Sequence, residues 1–198
     1  MNKLLLVRHG ETAWNASKVL QGQADIPLSE QGRAQAQQLA PLVAYWAPCS
    51  AHASDLLRAR QTAELLGWPQ ATIDPRWREA DLGEWTSRPV KDLLICDSKR
   101  YRSWRDGLQS PPGGESVEQL RTRVAAALAS LHEGHSGNVL VVTHGGVIRA
   151  VLALTLGLTA ERIVAVDPGS LTILDMCETP RLLAYNHVPV GQQAQSTD

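Results

Sequence analysis

The chain has 198 residues, with 19 Lys and Arg against 20 Asp and Glu, 43% hydrophobic and 20% charged residues. That length allows one domain or two small ones, and the apolar fraction excludes a disordered or collagen-like chain. A formal net charge of -1 gives no reason to expect nucleic acid or an anionic membrane as partner, and no apolar run approaches the roughly 20 residues that span a bilayer. Lys3 is followed only by Leu4 to Val7 before Arg8, too short for a secretion-signal core, so a cytoplasmic location is expected. Cys49, Cys96 and Cys177 are scattered without a C-x-x-C pair. They therefore read as small buried or half-buried hydrophobes, with no disulfide framework and no zinc site expected.

In chain order, Leu4–Val7 is a continuous apolar run closed by charge and glycine, as a buried parallel strand would be. Ser29 can cap a helix in which Leu28, Gly32, Ala36, Leu39, Val43 and Trp46 recur at spacings of three and four. Pro41 predicts a kink or an early end there. Asp55 predicts the cap of a second helix, with Leu56, Ala59, Ala63 and Leu66 on one face and Gly67 as its stop. Residues 75–115 lack clean periodicity, carry Trp77, Trp85 and Trp104, and close on Pro111-Pro112-Gly113-Gly114. Ser116 and Gln119 form a capping box before a helix through Leu120, Val124, Ala127 and Leu131. Val139–Val142 is a second buried-strand run, followed by Gly145-Gly146 and a helix from Val147 to Leu156 that Gly157 stops. Ile163–Val166 and Leu171–Leu174 read as further strands, and residues 191–198 as a frayed polar tail. The alternation of strands and helices predicts a single α/β domain over residues 1–190, with a mainly parallel sheet.

Two strands share one grammar, an apolar run ending in histidine and then glycine: Val7-Arg8-His9-Gly10 and Val142-Thr143-His144-Gly145. Ligands of open α/β sheets bind outside the carboxyl ends of strands, so both histidines can face one pocket. A helix beginning after Gly145 aims backbone N–H groups and a positive dipole end at an anion. Each piece has an ordinary structural reading. A strand-end histidine is more often a hydrogen-bonded structural residue, Arg8 can pair with a surface carboxylate, and Arg58 and Arg60 can be solvated helix positions. Glu79, in an irregular segment, can be a solvated carboxylate. Their joint occurrence points instead to a site.

Several blocks then carry a resemblance. Leu6-Val7-Arg8-His9-Gly10-Glu11-Thr12 with Trp14-Asn15 resembles the opening signature of the histidine phosphatase (phosphoglycerate mutase-like) superfamily. Gln21-Gly22-Gln23 through Leu28, Ser54-Asp55-Leu56-Leu57-Arg58-Ala59-Arg60, Arg78-Glu79 with Leu82-Gly83-Glu84-Trp85, Gly113-Gly114-Glu115-Ser116 and Thr143-His144-Gly145-Gly146 resemble its later blocks, in order. One departure is Ala53, where the family usually has a small hydroxyl residue, at what reads as the pocket floor. The resemblance implies a three-layer α/β/α fold and a phosphomonoester hydrolase. His9 would be the nucleophile, forming a phosphohistidine, and Glu79 the acid and then the base. His144, Arg8, Asn15, Gln21, Gly22, Arg58 and Gly145 would hold the phosphoryl oxygens. Two nearby guanidinium groups should keep His9 neutral. These cations are side chains, so no metal and no cofactor are expected. A His-His-Glu zinc hydrolase is the rival chemistry, disfavoured by two arginines crowding the cation.

The expected partner is a small phosphate ester, with no nucleic acid and no membrane; a homodimer is left open. A cofactor-dependent phosphoglycerate mutase is the alternative, but mutases of this family carry a closing insertion, and the stretch from Trp85 to Gly113 is short. A non-catalytic phospho-ligand binder is a third reading, opposed by the presence of both His9 and Glu79. Among hydrolases the blocks resemble alpha-ribazole phosphatases of cobalamin synthesis. Trp77, Trp85 and Trp104 could stack on a flat base or merely pack under a lid.

Overall fold

In a strand, successive side chains point to opposite faces, so a run that is apolar throughout must be covered on both. The computed structural model, which describes residues 1–134 and 136–189, shows this for β1 (Lys3–Arg8) and β4 (Val139–Thr143). Leu4, Leu6, Val139 and Val141 pack against Val124, Leu128, Val147, Ile148 and Val151 on one face. Leu5, Val7, Leu140 and Val142 pack against Leu39, Val43, Ala59 and Ala63 on the other. The first set of helical partners belongs to α6 (Val117–Gly134) and α7 (Gly145–Leu156), the second to α2 (Glu30–Tyr45) and α3 (Leu57–Leu65). The result is the three-layer α/β/α arrangement.

Beside β1 and β4 stand β2 (Ser50–Ala53), β3 (Thr72–Ile73), β5 (Leu171–Asp175) and β6 (Arg181–His187). The order across the sheet is β3-β2-β4-β1-β5-β6. β3, β2, β4 and β1 are parallel, whereas β5 runs antiparallel to β1 and β6 antiparallel to β5. A short α1 (Ala13–Ala16) follows β1, and α4 (Val90–Cys96) and α5 (Ser98–Arg105) lie in the segment without clean periodicity.

Several expectations are corrected. Pro41 does not end α2, which continues to Tyr45. Gln37 and Pro41 both lie on its exposed side, so the carbonyl that Pro41 cannot satisfy faces water. Asp55 does not cap α3; its carboxylate pairs with Arg78, and Asp25 Oδ1 accepts the Leu57 N–H at 2.6 Å. The last helix starts at Gly145, two residues earlier than predicted, with His144 as its N-cap. Ile163–Val166 joins no sheet, and two of its carbonyls serve side chains instead: Val164 accepts from Tyr185 Oη and Val166 from Arg8. All three cysteines are exposed, since Cys49 and Cys177 lie in connections and Cys96 at the end of α4. The predicted tail 191–198 lies outside the described residues. Among the described residues, no helix is long and apolar enough to cross a membrane.

Candidate active site

Parallel pairing of β1 with β4 sets Arg8 opposite Thr143. The next residues, His9 and His144, therefore emerge side by side at the carboxyl end of the sheet, with ring centroids 5.1 Å apart and planes tilted by 60°. β2 ends in register with Val142, which brings Ser54 to the same edge. Ser54 is thus a site residue that the sequence reading passed over, its Oγ 2.8 Å from His144 Nε2. Ala53, read as pocket floor, is instead buried in the apolar cluster between β2, α2 and α3, where a hydroxyl would lack any role at the site.

The partners of His9 assign its tautomer. Nδ1 lies 2.7 Å from the Gly10 carbonyl, which can only accept, so Nδ1 carries the proton. Nε2 accepts from Arg58 Nε at 3.2 Å and is bare. Burial, reinforced by the Arg58 and Arg8 charges, holds the His9 pKa well below the ordinary histidine value. Burial first, and then Arg58, does the same for His144. Both rings are therefore neutral at physiological pH, and the unprotonated Nε2 of His9 carries a lone pair directed at Arg58 Nε.

Arg58 was expected to grip phosphate oxygens with its fork. In the structure Nη1 and Nη2 donate to the carbonyls of Ala24 and Gly22, both at 2.7 Å, while Nε faces His9. Two of its five N–H groups remain for an anion. Gly22 accordingly contributes a carbonyl that orients Arg58. Burial pulls the Arg58 pKa down to about 10, still far above neutrality. Arg8 is anchored on the Val166 carbonyl, and its buried Nε has no protein partner. His144 Nδ1 and Gln21 Oε1 are likewise buried and unpartnered. Buried polar atoms cost about 1–3 kcal/mol each when unmatched, so three of them on or beside one cavity support its reading as a binding site. Asn15 lines the cavity, with its Oδ1 occupied by the Thr12 N–H at 3.1 Å.

Glu79 is placed by its backbone rather than by a helix or strand. The Arg123 guanidinium donates to the carbonyls of Arg76, Arg78 and Glu79 and pairs with both oxygens of Glu115. Gln23 Nε2 adds a second donor to the Glu79 carbonyl at 3.1 Å. The Glu79 carboxylate then accepts from the Ala80 N–H at 2.9 Å and from the Gly146 N–H at 3.2 Å. The helix N-terminus expected to meet the phosphate thus spends one N–H on the acid. Sequence spacing offered no signal for Arg123, whose carbonyl partners lie more than 40 residues away along the chain.

Arg8, His9, Asn15, Gln21, Gly22, Arg58, Glu79 and Gly145 line one cavity of about 270 Å³, with His144 packed beside His9. Arg60 is exposed on α3 and does not line it. Of the tryptophans proposed for stacking, only Trp104 reaches the cavity, joined by Trp14. Trp77 is sealed in the core and Trp85 packs with Leu82, Leu93 and Tyr101. Among the described residues, no group of three or more His, Cys, Asp and Glu side chains could hold a metal ion.

The neutral histidines couple stability to pH. Below the unfolded value near pH 6.5, the unfolded chain takes up protons that the folded chain refuses. Stability present above that pH is lost as it falls, by at most about 1.4 kcal/mol per pH unit for each histidine. Denaturant midpoints measured from pH 7.5 to 5.5 should drop, and His144→Asn should flatten the slope. An unchanged slope in that variant would contradict burial of a neutral His144.

Arg58→Lys should lower kcat/KM by about two orders of magnitude, because an ammonium cannot reach Gly22, Ala24 and His9 together. Arg60→Ala should stay near wild type. Steady-state kinetics on an aryl phosphate would check both, and equal losses would mean the wrong face of α3 was assigned.

The histidine phosphatase superfamily (branch 1) model matches residues 4–187. A Yersinia enterocolitica protein named "Probable phosphoglycerate mutase GpmB" is 36% identical over 190 residues, spanning 92% of this chain and 88% of its own. The structure of a mycobacterial glucosyl-3-phosphoglycerate phosphatase in complex with VO3 superposes with a TM-score of 0.87 at 31% identity, over 94% of this chain and 99% of that one. An Escherichia coli K-12 protein named "putative alpha-ribazole-5'-P phosphatase" does so at 0.82 and 32%, over 97% and 99%. With its family blocks gathered around one pocket and its sequence matched almost end to end, the chain belongs to the histidine phosphatase superfamily, whose members are phosphatases or mutases.

Proposed function

We propose that the protein is a phosphomonoester hydrolase that works through a phosphohistidine at His9. The observation that carries this reading is the bare, neutral Nε2 of His9, held beside Arg58 and within a pocket lined by Arg8 and Glu79. Attack of Nε2 on phosphorus forms the N–P bond as the ester P–O bond breaks, and protonated Glu79 gives its proton to the departing alkoxide. Water then attacks phosphorus, Glu79 takes the proton, and inorganic phosphate leaves His9 free. Arg8 and Arg58 stabilise charge on the equatorial oxygens, and His144 Nδ1 is a further donor when Ser54 supplies the hydrogen to Nε2. No step requires a metal.

Hydrolysis is favoured over transfer to a second hydroxyl by the short segment after Glu79. It folds into a short 3-10 turn (Gly83–Trp85), α4 and α5 and leaves exposed Lys18 and Arg121 at the cavity rim, where water can enter. Likeness to the Escherichia coli protein, and Trp14 and Trp104 in the cavity wall, keep alpha-ribazole 5'-phosphate among the substrates to be assayed.

Purified protein in EDTA should release inorganic phosphate from p-nitrophenyl phosphate and from members of a panel of phosphorylated metabolites. With 3-phosphoglycerate the product should be free phosphate rather than 2-phosphoglycerate. Isomerisation without phosphate release would make it a mutase, and activity lost to EDTA and restored by zinc or magnesium would overturn the metal-free route.

A further inference from the structure

Arg8 owes its position to a segment that belongs to no helix or strand. The Val166 carbonyl accepts from its guanidinium, and the Ser170 carbonyl takes the Arg8 N–H at 3.1 Å. The Gly169 N–H reaches the Arg8 and His9 carbonyls at 3.2 and 3.0 Å. Residues 163–170 thus form a strap around the first arginine of the phosphoryl site. What fixes the strap is an irregularity in β6. Leu171 pairs with His187 and Ile173 with Ala184, so Tyr185 and Asn186 both face the single Thr172. Such a bulge takes residues out of the ladder and re-aims their side chains. Asn186 adopts the left-handed backbone, with φ at 52°, which asparagine tolerates better than most residues. Its N–H donates to Thr172 Oγ1 at 3.3 Å. Both bulge side chains then reach the strap. Tyr185 Oη donates to the Val164 carbonyl, and Asn186 clasps Asp167. The Asp167 N–H donates to Asn186 Oδ1 at 2.6 Å, which orients the amide, and Nδ2 donates to Asp167 Oδ2 at 2.9 Å.

Asp167 directly follows the residue whose carbonyl anchors Arg8, and it is buried. Its charge acts on Arg8: burial lowers the Arg8 pKa, and the Glu79 and Asp167 charges oppose that fall. Even so, among the described residues no ion pair joins Arg8 to Asp167. A carboxylate beside a guanidinium ordinarily closes into a fork of two parallel N–H···O bonds. Here that fork would spend on the protein the donors that a phosphoryl group needs. The Asn186 amide holds the carboxylate instead.

We propose that Asn186 is a positioning residue for the phosphoryl site, keeping Asp167 off Arg8 so that the Arg8 donors stay open to an anion. This rests on the reading of Arg8 as a phosphoryl ligand and adds to it a residue of β6 that lines no part of the cavity. Without the clasp, part of the population pairs Arg8 with Asp167, and the apparent affinity for an anion falls by the fraction that remains competent. Bound anion displaces the carboxylate, so the penalty falls on binding and not on the chemical step.

Calorimetric titration with inorganic phosphate tests it, alongside steady-state kinetics on p-nitrophenyl phosphate. Asn186→Gly keeps the left-handed backbone and removes the amide. It should weaken phosphate binding by about tenfold, with a matching rise in KM and the loss falling on KM rather than on kcat. Adding Asp167→Asn to that variant should restore phosphate affinity, because a neutral amide cannot form the competing ion pair. Loosening that is merely structural would be worsened by the second change, so failure of the rescue overturns the proposal, as does wild-type affinity in Asn186→Gly alone. Should Asn186→Gly fail to fold, Asn186→Asp keeps the oxygen that takes the Asp167 N–H, loses the donor to Oδ2, and carries the same expectations. Wild-type protein that binds no phosphate would also overturn it. Phosphate binding and rescue as expected, with no release of phosphate from any ester and no phosphohistidine, would instead remove the hydrolase reading and leave the role of Asn186 in place.

Discussion

His9→Ala is expected to remove the covalent route altogether, lowering kcat by on the order of 10⁵, while His144→Ala retains it and falls by about 10²–10³. The two rings look alike by local sequence, by burial and by depressed pKa. They differ in what their nitrogens face. His9 Nε2 is a bare acceptor directed at Arg58, whereas His144 Nε2 is engaged with Ser54 Oγ. A nucleophile needs the first arrangement, and an oxyanion donor tolerates the second. Rapid mixing with labelled p-nitrophenyl phosphate, followed by an alkaline quench and peptide mapping, should place acid-labile phosphate on His9. His9→Ala should trap none and His144→Ala should label slowly. Label on His144 would reverse the assignment.

Gly146→Ala should be nearly as damaging to turnover, by about 10²–10⁴ in kcat, the usual worth of a positioned acid and base. A Cβ at residue 146 would lie 2.3 Å from Glu79 Oε1. The carboxylate must move off the position in which Oε1 takes the Ala80 N–H, while its backbone stays pinned by Arg123 and Gln23. Alanine is otherwise favoured over glycine within a helix by about 1 kcal/mol, so the variant should fold and melt close to wild type. Kinetics and thermal melts on the same preparation check this; full activity would show that turnover does not depend on Glu79 holding this position against Gly146.

Local periodicity in the sequence already determined β1, β4, α2 and α6, because their apolar residues satisfy burial rules that depend only on near neighbours. The paired His-Gly strand ends, with the blocks around Arg58 and Glu79, already indicated a phosphoryl-transfer site. Beyond that, long-range pairing decided. β2 reads Ser-Ala-His-Ala and β3 is two exposed residues, so neither announces itself; each exists because β4 offers an edge that is then extended. β6 is exposed along much of its length and depends on β5.

The same holds at the site. Residue type nominated Arg58, but only the approach of Gly22 and Ala24 shows its fork spent on carbonyls. Asp55 has the composition of a helix cap, yet Arg78 reaches its carboxylate and the N-terminus of α3 takes Asp25 instead. Arg123 sits on α6 like any solvated helix arginine until Glu115 and three carbonyls surround it. Side-chain chemistry is local and legible; which partner answers a given donor depends on register and layer packing across distances that no sequence window contains. The pairing of His9 with His144 follows from one such register, Arg8 opposite Thr143, and from nothing shorter in range.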